Sequence, residues 1–85
     1  MPSKTVTVGS AVGLHARPAA LIAEEAGKLG SSVTLATTGG DPVDAASALM
    51  IMTLGAKQGD SVEVSGEDQQ AVDTIATLVE KDLDA

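Results

Sequence analysis

His15 is the only imidazole in the chain, and it stands within Gly13-Leu14-His15-Ala16-Arg17-Pro18-Ala19-Ala20. A neutral imidazole nitrogen is a nucleophile, and a guanidinium two residues along offers planar, paired donors that match phosphate oxygens and keeps its charge at accessible pH. If a helix opens here, its first backbone N–H groups, at Ala16 and Arg17, have no carbonyl partner and carry the positive end of the helix dipole. The combination suits a phosphoryl group held covalently on His15 and steadied by Arg17. Spacing alone also suits a solvated surface histidine and a locally paired arginine.

The segment that follows does have the period of a helix. Ala19, Ile22, Ala23, Ala26 and Leu29 recur on one side, while Arg17, Glu24, Glu25 and Lys28 fall opposite, predicting a helix from about Ala16 to Leu29. Pro18 fits only in the first turn, where its missing N–H costs nothing, and Gly30 is a natural stop. Gly9 and Gly13 make the preceding loop permissive.

Elsewhere the period changes to two. Lys4 to Val8 alternates with Val6 and Val8 on one face, Ser32 to Ala36 with Val33 and Leu35 inward, and Ser61 to Ser65 with Val62 and Val64 inward. Gly39-Gly40 predicts a tight hairpin into a short strand around Val43, which Pro42 assigns to a sheet edge. It is a turn signal and not a phosphate loop, since no Gly-Lys-Ser/Thr ending follows. Ser47 can cap a short helix from Ala48 to Leu54, stopped by Gly55 and apolar all round its axis, so that one side must be exposed or partnered. Asp68 can cap a last helix with Val72, Ile75, Ala76, Val79 and Leu83 as its inward stripe. The order is βαββαβα. Strands with one apolar and one polar face predict an α+β fold, an antiparallel four-stranded sheet with three helices covering one side only.

Composition narrows the function. Eighty-five residues make one domain, spanning 1–85, whose core must be built without any Phe, Trp or Tyr. No cysteine and a single histidine leave no thiolate site and no zinc cluster, so no metal and no cofactor is expected. A formal charge of −7, twelve acidic residues against five basic, argues against nucleic acid as a partner. The N-terminus lacks the pattern of a signal peptide, and no apolar run approaches the roughly 18–20 residues that cross a bilayer; the expectation is a cytoplasmic monomer without direct membrane contact. One histidine with no orienting carboxylate nearby in sequence also argues against an independent hydrolase. Asp68, Asp73, Glu80, Asp82 and Asp84, like Glu24 and Glu25, read as solvated helix faces.

The segment Gly13 to Ala20 resembles the active-site signature of the HPr family, histidine-containing phosphocarriers of the phosphoenolpyruvate-dependent sugar phosphotransferase system. The likeness extends across essentially all 85 residues, through the element order, the segment Ser47 to Gly55 and the Val62-Val64 strand. It implies an open-faced β-sandwich in which His15 takes a phosphoryl group on Nδ1 from phosphorylated enzyme I and delivers it to enzyme II A domains. In that family the residue matching Arg17 steadies the group. Ala46, where relatives often carry a lysine, and Leu49-Met50, where Gram-positive members often show Met-Gly, resemble actinobacterial members.

Ser47 aligns with a serine that a dedicated kinase phosphorylates in some relatives, although capping already accounts for it. Leu21 falls on the polar side of its helix. With Leu49 and Met52 it could form a small, short-lived docking patch, and the family docks both partners through that region. Two alternatives to the sugar carrier remain at this level. One is a regulatory binding module, controlled at Ser47 by a serine kinase and docking a transcription regulator or an enzyme; the other is a carrier in a nitrogen-regulatory branch of phosphotransfer.

Overall fold

The computed structural model describes residues 2–81. In chain order the elements are β1 (Ser3–Thr7), α1 (Ala16–Lys28), β2 (Val33–Thr37), β3 (Val43–Asp44), α2 (Ala48–Thr53), β4 (Ser61–Gly66) and α3 (Gln69–Glu80). The alternation seen in the sequence is the reason the strands form where they do: Val6, Val33, Leu35, Val62 and Val64 are buried, while Thr5, Thr7, Ser61 and Glu63 between them are exposed. Val8, past the end of β1, is buried too.

The sheet order is β1-β4-β2-β3, and every pairing is antiparallel. Register places Val6 opposite Val62 and Leu35 opposite Val64, stacking the apolar side chains of three strands on one face. β3 lies at an edge, as Pro42 requires. The approach to it is longer than a tight hairpin. Thr38 to Pro42 join the two strands, only Gly39 takes a positive φ (76°), and the turn closes through Gly40 N–H donating to the Thr37 carbonyl at 2.9 Å.

α3 lies over β1 and β4 and against α1, and α2 packs between α1 and β3. Their buried faces join the strands in one core: Ala19, Ile22 and Ala26 from α1, Ile51 from α2, and Ala71, Val72, Ile75, Ala76 and Val79 from α3. This is the α+β open-faced sandwich expected from the sequence, one sheet face covered and one bare. The inward stripe of the last helix is observed as far as Val79; Leu83, Asp82 and Asp84 lie outside the described residues. Among the described residues no helix is long and apolar enough to cross a membrane.

Candidate functional site

His15 is the N-cap residue of α1, in extended backbone (φ −129°, ψ 160°), and it is exposed. Leu14 before it is buried in the core, as is Ala19 four residues after the cap; two apolar anchors on either side of the first turn fix the angle at which the loop enters the helix. Pro18, also buried, sits in that first turn. The imidazole therefore projects from a backbone held on both sides.

The mouth of α1 is open. His15 makes no side-chain capping hydrogen bond, no acidic residue lies in the first turn, and the amides of Ala16 and Arg17 precede any intrahelical partner. Ala16, the first helical residue, has φ 44°, the only positive φ of a non-glycine residue among the described residues. An L-residue in the left-handed region costs on the order of 1 kcal/mol, so the turn at the histidine is held in a conformation that the surrounding packing imposes. Arg17 is exposed and engages in no ion pair among the described residues, which leaves its guanidinium available to an incoming anion.

The loop carrying His15 is tied down by backbone. Gly13 N–H donates to Ser10 O (3.0 Å), Leu14 N–H to Ala56 O (3.0 Å), Gly9 N–H to Val79 O (3.0 Å) and Val8 N–H to Asp60 O (2.9 Å). Two of its glycines are required by these contacts. Gly13 has φ 73° and a Cβ there would collide with the Ala56 carbonyl, while a Cβ on Gly9 would collide with the Glu80 carbonyl.

The other residues singled out in the sequence are placed as follows. Ser47 caps α2, its Oγ accepting from Met50 N–H at 3.3 Å. Leu49 is 70% exposed; Leu21 is half-buried, and Met52 is half-buried with its side chain packed on the core. The outward methionine of α2 is Met50, at 43% exposure, and Val12, at 58%, stands out from the histidine loop. Sequence reasoning missed both. A helix apolar on every side gives no sign of which methionine turns outward, and a valine in an aperiodic loop gives none at all. Glu24 and Glu25 pair with Lys28 at 3.3 and 3.6 Å, and the Glu24 hydrogen bond, followed by the charge of Glu25, raises the lysine pKa above its ordinary value.

An open-faced sandwich with an exposed histidine at an uncapped helix mouth has the build of a small phosphocarrier. Known proteins agree. A family model described as "PTS HPr component phosphorylation site" matches residues 2–81, and the chain belongs to that family, HPr. It is 38% identical to the phosphocarrier protein HPr of Streptomyces coelicolor, over 99% of this chain and 94% of that one. It is 40% identical to HPr of Haemophilus influenzae, over 93% and 95%. Among solved structures, HPr of Bacillus anthracis superposes with a TM-score of 0.85 at 31% identity, covering 92% of this chain and 95% of the other. HPr-C-His of Thermoanaerobacter tengcongensis gives 0.84 at 35%, covering 94% and 92%. Membership makes the chain a phosphocarrier of the phosphotransferase system, a carrier and not a catalyst.

Proposed function

We propose that the chain accepts a phosphoryl group on His15 from phosphorylated enzyme I and passes it to enzyme II A domains, in sugar uptake driven by phosphoenolpyruvate. The observation that carries this reading is the exposed His15 ring at the uncapped mouth of α1, with Arg17 unpaired beside it. In the forward step the Nδ1 lone pair forms a bond to phosphorus as the bond from phosphorus to the donor breaks, and the donor keeps that electron pair. The phosphoryl oxygens then meet the amides of Ala16 and Arg17 and the Arg17 guanidinium. The return step reverses this at the acceptor, with no metal or cofactor.

Docking uses the apolar surface beside the ring. Leu49 and Met52 contribute from α2 and Leu21 from α1, and Met50 and Val12 are further exposed apolar side chains, on α2 and on the histidine loop. The protein acts as a cytoplasmic monomer, since a carrier that alternates between two partners needs its one docking face free. Ser47 has its hydroxyl engaged as a helix cap, which favours the carrier over a module regulated at that position.

Incubation with phosphoenolpyruvate and enzyme I yields an acid-labile, base-stable adduct on the wild type and none on His15→Ala. Absence of label under conditions that label a known HPr refutes the proposal.

A further inference from the structure

The turn that faces the histidine loop is organised around one carboxylate. Asp60 Oδ2 accepts from Lys57 N–H at 2.9 Å, and Asp60 N–H donates back to Lys57 O at 2.9 Å, closing a turn that Gly59 completes with φ 89°. Lys57 N–H belongs to the same peptide group as the Ala56 carbonyl, which accepts from Leu14 N–H at 3.0 Å. In a trans peptide these two groups point in opposite directions, so this one rigid plane is pinned at both ends. At one end is a carboxylate, at the other the residue next to His15.

The rest of the turn reinforces the same link. Gly59 N–H donates to Val8 O (3.0 Å), Asp60 O accepts from Val8 N–H (2.9 Å), and Gln58 Nε2 reaches Gly9 O (3.3 Å). Gly13 presses on the Ala56 carbonyl so closely that a Cβ would not fit. An anionic acceptor at the N–H end also polarises the peptide and strengthens its carbonyl as an acceptor for Leu14. Asp60 is exposed and far too remote in sequence for any local motif to connect it with the histidine.

We infer that Asp60 is a positioning residue for phosphoryl transfer at His15, acting through the Ala56–Lys57 peptide on Leu14 and so on the aim of the ring. The inference rests on the phosphocarrier reading above. The hydrogen bonds of Asp60 run to Lys57 and Val8, neither of which belongs to the proposed docking patch, so its loss is expected to act on the chemical step and to spare partner binding.

The test compares Asp60→Ala, Asp60→Asn and, as a control, Asp68→Ala, which removes a carboxylate cap of the same kind from the start of α3. Transfer from phosphorylated enzyme I is followed across carrier concentrations, with hydrogen exchange of the Leu14 amide and thermal unfolding on the same samples. Asp60→Ala is expected to lower kcat about tenfold with KM within about twofold, because small misalignments of a reacting group are costly, and to speed Leu14 exchange. Asp60→Asn retains an oxygen acceptor and stays within about threefold of wild type. Asp68→Ala keeps its kcat even if it melts lower. Wild-type kcat and Leu14 exchange in Asp60→Ala overturn the inference while leaving the phosphocarrier reading intact, as does a loss of rate that Asp68→Ala shares at equal loss of stability. A wild type that takes no label refutes both.

Discussion

The beginnings of the three helices are built differently. α2 and α3 are closed by their own side chains: Ser47 Oγ receives Met50 N–H, and an Asp68 carboxylate oxygen receives Gln70 N–H at 3.1 Å. α1 starts at a histidine that caps nothing, followed by an alanine with φ 44°. Capping contributes about 1 kcal/mol per helix, so two mouths are optimised for stability and the third is left unsatisfied. The open mouth is the one that carries His15, the proposed phosphoryl acceptor. In the transfer proposed above, a phosphoryl group on His15 would meet the Ala16 and Arg17 amides at a helix start that no side chain caps.

The loop that holds α1 open gives the largest expected effect. Gly13→Ala introduces a Cβ against the Ala56 carbonyl at a left-handed φ, and should lower unfolding free energy by on the order of 3 kcal/mol in urea titration. Wild-type stability in this variant would show that the loop is not braced as described. The capped mouths come next. Asp68→Ala should cost about 1 kcal/mol, and Ser47→Ala less because its bond is longer, with labelling of His15 preserved in both. At the open mouth the sign reverses. His15→Asn places a capping side chain on backbone already in the extended region and should raise stability by roughly 0.5 kcal/mol while removing the label; a loss of stability would mean that His15 already caps. The smallest effect belongs to the other end of the same helix. Lys28→Ala removes exposed contacts to Glu24 and Glu25, and its melting temperature should be indistinguishable from wild type.

Most of the architecture, and the helix start that carries His15, are legible in the sequence. Strict alternation around Val6, Val33-Leu35 and Val62-Val64 fixed which face of each strand is buried, because a slip of one residue would have turned every valine to solvent. Pro18, Ser47 and Asp68 marked helix starts by chemistry that works locally. What escaped the sequence depends on contacts between distant segments or on backbone that composition does not announce. Alanine is a poor sign of a left-handed residue, so nothing pointed to the φ of Ala16. The pairing of β4 between β1 and β2 rests on tertiary packing. Gly39-Gly40 looked like a two-residue hairpin, yet the chain needs the whole of Thr38 to Pro42 to bring Pro42 to the edge. The link from Asp60 to Leu14 runs through a peptide group and carries no residue signature.

The contrast between open and closed helix mouths can be tested directly by amide nuclear magnetic resonance of the protein before and after phosphorylation with phosphoenolpyruvate and enzyme I. Phosphorylation should move the Ala16 and Arg17 amide protons strongly downfield, as charge-assisted donors, and leave those of Met50 and Gln70 in place. Unmoved Ala16 and Arg17 amides in a protein fully phosphorylated on His15 would contradict the account.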